Sequence, residues 1–449
     1  MTTAAKEVLF RGALLIDGTG AEPQRDQVVA VAGGRIKSVG PMHRVRCADE
    51  VEVVDLEGRC LMPGLIDAHT HLTYHAERPD VWVLEQKESV ELNTFFAGRN
   101  AATILAAGFT SIGDGGCRGF IGPAVRDAVR LGLIPGPDVV AAGPIICGSA
   151  GLLDGAPAWA EQHNETSLGM TANGAEQVRA AVRRQVKGRV DWIKVATSGV
   201  AGSPFSSADT DDLGFEEAQA AVSEAAKYGK RVHAHAHSRN GILAAVRAGA
   251  ISIHAAEYAD EACLDAMAEK GTIYSPTIAW LHVRCMESFG APKDPEFRRQ
   301  AWDAFDKSRA MVAEAKRRGI PIAVGSDAAH RFAHIPSAVL EMEYFEALGY
   351  TPLEVIHAAT ASAAAAIGRG EDRGRIAPGF AADLLLVEGN PAEGVRLLRD
   401  PRHIWRCYRA GRLVAVTEAK AALAERVDAT EFEPRDWMRR DFDELQRAA

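Results

Sequence analysis

The sequence predicts an α/β protein, a (β/α)8 TIM barrel carrying a small composite β-sandwich domain formed by both chain ends. Three observations lead there. Between about residues 65 and 370, short apolar runs alternate with Ala-rich helical stretches, the pattern of parallel βα units. Both chain ends have another texture, β-branched runs punctuated by Gly, Asp and Pro, which reads as short strands and turns. The length, 449 residues, suits one large barrel with an added domain.

The elements follow in order. VLFRGALLID, DQVVAVAGGRIKSVG and VEVVDLEGRCLMPG give short strands within residues 1–62. Each chain end is too small for a sheet core alone, so we expect them to share one sandwich, 1–62 with 371–417. The barrel, 63–370, has eight candidate strands: GLIDAHTHL, FTSIGDGG, DVVAAGPII, DWIKVATSG, RVHAHAH, ISIHAAE, TIYSPTIA and IPIAVGSDA. Amphipathic stretches such as GAEQVRAAVRRQVKG separate them. HAATASAAAAIGRG, at 357–370, reads as a good helix. Residues 418–449 read as a charged helical tail, with Trp437 and Phe442 free to pack on the barrel or on a partner subunit.

Composition narrows the function. Hydrophobic residues make up 47% and charged residues 25%, ordinary globular usage. The net charge of −9 disfavours nucleic acid, whose phosphates need clustered Lys and Arg. No apolar run approaches the length of a membrane span, and the N-terminus lacks a signal-peptide pattern. Seven scattered cysteines without CxxC read as reduced thiols in a cytoplasmic protein. No GxSxG is present, which argues against a serine nucleophile.

The chemistry sits at the predicted strand ends, where barrel active sites form. His69 and His71 are an HxH pair after Asp67; residues i and i+2 of a strand share a face, so both imidazoles can reach one metal. His233, His235 and His237 alternate on the fifth strand, and spacing leaves open which of them is the ligand. His254 follows on the sixth strand and Asp327 ends the eighth. Lys194, on the fourth, cannot ligate a cation as an ammonium. Carboxylated by CO2, it becomes a carbamate able to bridge two metal ions.

These motifs together resemble the amidohydrolase superfamily. PGLIDAHTHL, the strand-four Lys, HAH, the strand-six His and GSDA match its metal-site signature, and PGFAADLLLVEGNP matches the end of its composite sandwich. The resemblance runs from residue 7 to about 415. IKVATSGVAGSP, VHAHAHSRNGILAAVRAGA and YTPLEVIHAATASAAAAIGR resemble the imidazolonepropionase-like branch, with its Xaa-Pro dipeptidases, carboxypeptidases and hydrolases of ureas, thiocarbamates and aromatic amides.

The resemblance implies roles. His69 and His71 hold the more buried metal, N6-carboxylated Lys194 bridges, and His235 and His254 hold the second metal. Asp327 ligates the first metal and is the general base, then acid. Two divalent ions are implied; zinc is the default for such a donor set, with iron, cobalt or manganese compatible. His237 is a candidate for orienting the carbonyl or stabilising an oxyanion, or for supporting a neighbour.

Two departures matter. SIHAAE replaces the SIEHG common at strand six, and a one-residue deletion would restore His254 to register. GPIICGSAG replaces a GGHG after strand three, removing a His that helps peptidase relatives hold a carboxylate.

The expected reaction is hydrolysis of a C–N bond in an amide, urea or carbamate. Tyr74, His75, Phe205, Trp280, His282, His330 and His334 lie just after predicted strands and are the pocket candidates. Their aromatic, cation-poor mixture points to a small, neutral, aromatic or hydrophobic substrate. The alternatives are a dipeptidase or carboxypeptidase on the same site, a one-metal deaminase suggested by HAAE at 254–257, and a non-catalytic scaffold. Relatives are commonly oligomeric, so a homo-oligomer is expected.

Overall fold

The computed structural model describes residues 7–45, 51–75, 87–159, 163–200, 203, 205–285, 295–328 and 336–428. The N-terminal segment forms strands β1 (Val8–Leu15), β2 (Gln24–Ala32), β3 (Arg35–Pro41), β4 (Glu52–Asp55) and β5 (Cys60–Pro63). Strands from the other end of the chain complete the same sheet, Leu384–Val387, Ile404–Arg409 and Arg412–Leu413. The join is antiparallel, Leu384 opposite Pro63 through Val387 opposite Cys60. β1 is irregular between Phe10 and Ala13, where Gly12 takes φ +68°, a conformation that suits Gly. Its Phe10 ring meets Tyr408 edge-on at 4.9 Å, tying the two chain ends through one core.

The middle of the chain supplies parallel strands. β6 (Leu65–Thr70) pairs with β7 (Phe109–Asp114), and β7 with β8 (Asp138–Ala141). β9 (Ile145–Cys147) pairs with β10 (Gly169–Thr171) and touches β11 (Ile193–Ala196). β12 (Val232–Ala236), β13 (Ser252–Ala255) and β14 (Ile273–Ser275) continue in order. Backbone hydrogen bonds connect β8 to the residue before β11, and β6 to segment 320–328. Asp191 N donates to Ala141 O at 2.7 Å, and Ala68 N donates to Val324 O at 2.9 Å. Segment 320–328 also reaches β14, through a parallel bridge between Tyr274 and Ile322.

Helices separate the strands: α1 (Val90–Ala106), α2 (Ile121–Arg130), α3 (Gly174–Lys187), α4 (Phe215–Ala226), α5 (Arg239–Ala248), α6 (Glu261–Lys270) and α7 (Ile278–Cys285). Their ends follow local chemistry. Ser238 and Asp260 cap α5 and α6 with side-chain oxygens, and Gly249 and Gly271 close them in the left-handed conformation. α8 (Pro295–Arg318) and α9 (Pro336–Ala347) follow. The next helical stretch starts with a Thr351–Glu354 capping box at Pro352–His357.

Four expectations change in detail. DVVAAGPII is two strands, β8 and β9, interrupted at residues 142–144, where Pro144 brings no N–H to a ladder. β10 was not among the eight predicted strands. IPIAVGSDA joins its neighbours through isolated bridges rather than a continuous ladder. The Ala-rich helix widens to a π-helical stretch at Ala358–Ser362 before continuing to Ala366, and there Ala358 O accepts from Val324 N at 3.1 Å. The tail begins as Thr417–Asp428, with Leu423 buried in the main core. Trp437 and Phe442 lie outside the described residues.

Candidate metal centre

The chain's HxH pair comes from the end of β6 and just beyond. His69 and His71 are each 3% exposed. The Nδ1 of His71 donates to Gly116 O at 2.7 Å, which leaves Nε2 with its lone pair free to ligate. The ring of Tyr74 stacks on His71 at 4.3 Å. Asp67, fully buried, accepts from His69 N at 3.1 Å, from Ser326 N at 3.1 Å and from Ser326 Oγ at 2.6 Å. It thereby joins β6 to the turn that carries Asp327. Burial pushes its carboxyl up to about 7, against these hydrogen bonds.

Asp327 sits at φ +47°, in the left-handed region, and its N donates to His69 O at 2.8 Å. That conformation is uncommon for a residue with a side chain, and the Asp67–Ser326 bonds hold it. Asp327 Oδ1 lies 3.1 Å from His71 Nε2 and 3.7 Å from His69 Nε2. The ligand atoms of His69, His71 and Asp327 all lie within 4.8 Å of one another. Glycines make the room: a Cβ at Gly115 would stand 2.4 Å from His69 Cδ2, and one at Gly325 would stand 2.0 Å from Ser275 Oγ.

The opposite side of the site is built from β11, β12 and β13. Lys194 pairs in register with His233, and His235 lies opposite both Ala196 and His254. The pairing of β13 runs through His254 without a shift; the chain turns only afterwards, at Ala255 (φ +87°) and Ala256 (φ +73°). Lys194 Nζ is 2.5 Å from His254 Nδ1 and 3.4 Å from His69 Nε2. Burial pulls this amine down to about 7, with Asp327 opposing. A neutral amine has the lone pair that attacks CO2. Burial also drives His69, His233, His235 and His254 well below the usual imidazole range, toward the neutral form that binds metals.

The three strand-five histidines divide. His233 is fully buried and stacks on Trp192 at 3.3 Å, with Nδ1 3.4 Å from His254 Nε2. His235 points Nε2 at Gly199 O at 3.3 Å, so the lone pair of its neutral ring is on Nδ1. His237 lies just past β12, its N bonded to Ser198 Oγ at 2.7 Å and its Nδ1 2.5 Å from Glu257 Oε2.

The predicted pocket residues scatter. Tyr74 is buried against His71. His75 is fully buried, 2.9 Å from Glu88 and stacked on Phe96 at 3.9 Å. His282 is buried among Phe305, Trp302 and Tyr344. Trp280 is half-buried with the Arg284 guanidinium over its ring at 4.5 Å. Phe205 is 48% exposed. His330 and His334 lie outside the described residues.

Sequence reasoning missed two partners. Ser326 stood inside GSDA, yet its bond to Asp67 needs residues 259 positions apart to meet. Glu257 stood inside HAAE, which suggested a deaminase motif; its partner is His237 instead. Buried carboxylates, imidazoles pushed down by burial and an amine drawn down to about 7 together make a site suited to cations and proton transfer.

Comparison with known proteins agrees with this chemistry. Residues 60–414 match the model of the amidohydrolase family. Ochratoxinase of Aspergillus niger is 30% identical over 443 residues, covering 92% of this chain and 87% of that protein. Its crystal structure superposes with a TM-score of 0.81 at 29% identity, covering 92% of this chain and 96% of that one. Imidazolonepropionase of Caulobacter vibrioides is 28% identical, covering 85% of this chain and 93% of that protein. A crystal structure of a Xaa-Pro dipeptidase with bound methionine in its active site has a TM-score of 0.82 at 27% identity. It covers 91% of this chain and 100% of that chain.

Proposed function

The chain belongs to the amidohydrolase family and is a hydrolase of carbon–nitrogen bonds, and from that premise we propose that it cleaves an amide, urea or carbamate of a small, neutral, aromatic or hydrophobic molecule. The observation that carries the proposal is the buried Lys194 amine between His69 and His254, facing the His69–His71–Asp327 group. Among the described residues this amine bonds only to imidazole nitrogens. A buried lysine whose amine is drawn down to about 7 can react with CO2, and two cations would stabilise the resulting carbamate. In this reading the parallel strands of 63–370 form one barrel, and 1–62 with 371–417 form the second domain.

The donor set suits divalent zinc, with iron, cobalt or manganese compatible. His69, His71 and Asp327 would hold one ion; carboxylated Lys194, His235 and His254 would hold the other. Ions bound there lower the pKa of water and polarise a carbonyl. Asp327 Oδ1 takes the proton of the attacking water and returns it to the departing nitrogen, so one carboxylate serves as base and then acid. Asp67 and Ser326 keep that carboxylate at its post throughout. His237 faces the substrate carbonyl with its remaining nitrogen.

A dipeptidase reading has its own support in the Xaa-Pro dipeptidase likeness. The test separates the two. Protein purified without chelator is analysed for metal by elemental mass spectrometry, then offered anilides, phenylureas, carbamates and Xaa-Pro dipeptides. About two metals per chain with turnover of the neutral compounds is the expected result. Turnover of dipeptides alone would replace the substrate class; absence of bound metal after incubation with zinc and bicarbonate would sink the mechanism.

A further inference from the structure

We propose that Glu257 is a positioning residue for hydrolysis: it holds the His237 ring so that Nε2 is the nitrogen meeting the substrate carbonyl. The inference rests on the reaction proposed above and adds a residue to it. The two side chains are 2.5 Å apart and almost wholly buried. A carboxylate can only accept, so His237 Nδ1 must carry the proton of this bond. That choice fixes both the ring plane and the identity of the remaining nitrogen.

The remaining atoms are what a substrate-facing pair requires. Among the described residues, His237 Nε2 and Glu257 Oε1 are both buried with no hydrogen-bond partner. Buried polar atoms are normally paired, so an unpartnered Nε2 beside His235, ring centroids 4.4 Å apart, marks a place for a ligand group. His237 is the only side chain bonded to Glu257 among the described residues.

The backbone is shaped for this pairing. Ala255 and Ala256 both take positive φ, the double left-handed step that folds the chain back after β13. Ala256 N donates to Ala236 O at 2.9 Å and Tyr258 N to His237 O at 3.2 Å, so the main chain is pinned on both sides of Glu257. From below, Ser198 Oγ accepts from His237 N. The ring is held at its backbone and at Nδ1, with only Nε2 left over.

The test is a double-mutant cycle on metal-loaded protein with 4-nitroacetanilide as probe, alongside proton spectra of histidine-15N-labelled protein. His237→Ala should lower kcat/KM about 100-fold and Glu257→Ala about 10-fold, mainly in kcat. The double variant should be no worse than His237→Ala alone, because Glu257 acts through that ring. Glu257→Gln retains an acceptor and should recover to within about 5-fold of the parent. A downfield Nδ1 proton should be present in the parent and absent from both alanine variants. Losses that multiply in the double variant, or an unchanged downfield proton in Glu257→Ala, would overturn the proposal. If the parent does not turn over the anilide, the proposed substrate class fails, and the proton spectra still decide the Glu257–His237 pairing. Glu257→Gln keeps the test open should the alanine variant not fold.

Discussion

The two halves of the site are held by different kinds of bond. On the β6 side, side chains are anchored to backbone: His71 to Gly116 O, Asp67 to the amides of His69 and Ser326, Asp327 N to His69 O. On the β11–β13 side His235 also reaches a backbone oxygen, Gly199 O, but Lys194 and His254 lean on other side chains: Lys194 on His254 and His69, His254 on His233 and Ser252. The first half places the Asp67 and Asp327 carboxylates beside its two imidazoles. In the second, Lys194, His233 and His254 are nitrogens whose mutual contacts supply no negative charge, and the carboxylate of that side, Glu257, is bonded to His237. The difference teaches that preorganisation and charge compensation are separate problems here, and that the carbamate proposed at Lys194 answers the second.

The largest effects should fall on chemistry at the seam between the halves. Asp327→Asn removes the proton acceptor, and turnover should fall by about three orders of magnitude or more with the thermal midpoint little changed. Lys194→Ala should be equally inactive but should differ in metal content, dropping from about two ions to about one, since the β6 half keeps its own ligands. Equal metal content in both variants would erase the proposed distinction between the halves.

A smaller effect tests the anchoring. Asp67→Ala leaves two buried amides and the Ser326 hydroxyl without their acceptor, and should cost about 3 kcal/mol in chemical denaturation. Turnover should fall as well, because the turn at Asp327 loses its clamp. An equal loss of stability in His254→Ala would show the second half to be anchored just as firmly.

The smallest effect is a slope. Glu341, fully buried, accepts from Ile278 N at 3.1 Å and Ala279 N at 2.8 Å, and burial pushes its carboxyl up to about 8. The folded state then holds a proton that the unfolded chain releases above its ordinary value of 4.5. Stability should therefore fall as pH rises from about 4.5 to about 8, by at most about 1.4 kcal/mol per pH unit. Glu341→Gln should flatten that window in denaturation midpoints. An unchanged slope would assign it to other groups.

Much of this was legible from the residues. The β6 motif and the strand-five alternation followed from period-two geometry, since residues i and i+2 share a face. The cross-strand placement of Lys194 and His254 needed only parallel order. The β8–β9 break and the π-turn were harder to see. The π-turn lies where a backbone group bonds outside its own element, as Ala358 O does with Val324 N, and local sequence carries no sign of such a partner; the β8–β9 break has a local sign in Pro144 but no periodicity to place it. The pocket candidates scattered for a related reason. His75 and His282 follow strands in the chain, but their rings are buried against Phe96 and Phe305, and an apolar contact of that kind depends on the fold around it.

The sequence by itself determined that His69 with His71, and the three histidines of strand five, each share one face, because strand periodicity is a local property. Tertiary structure decided how each is held: which nitrogen of His71, His235 and His237 is left free, that Asp67 reaches Ser326, and that Glu257 belongs to His237. Those are hydrogen bonds across 20 to 259 positions of chain, and a hydrogen bond is fixed by distance and direction in space rather than by spacing along the chain.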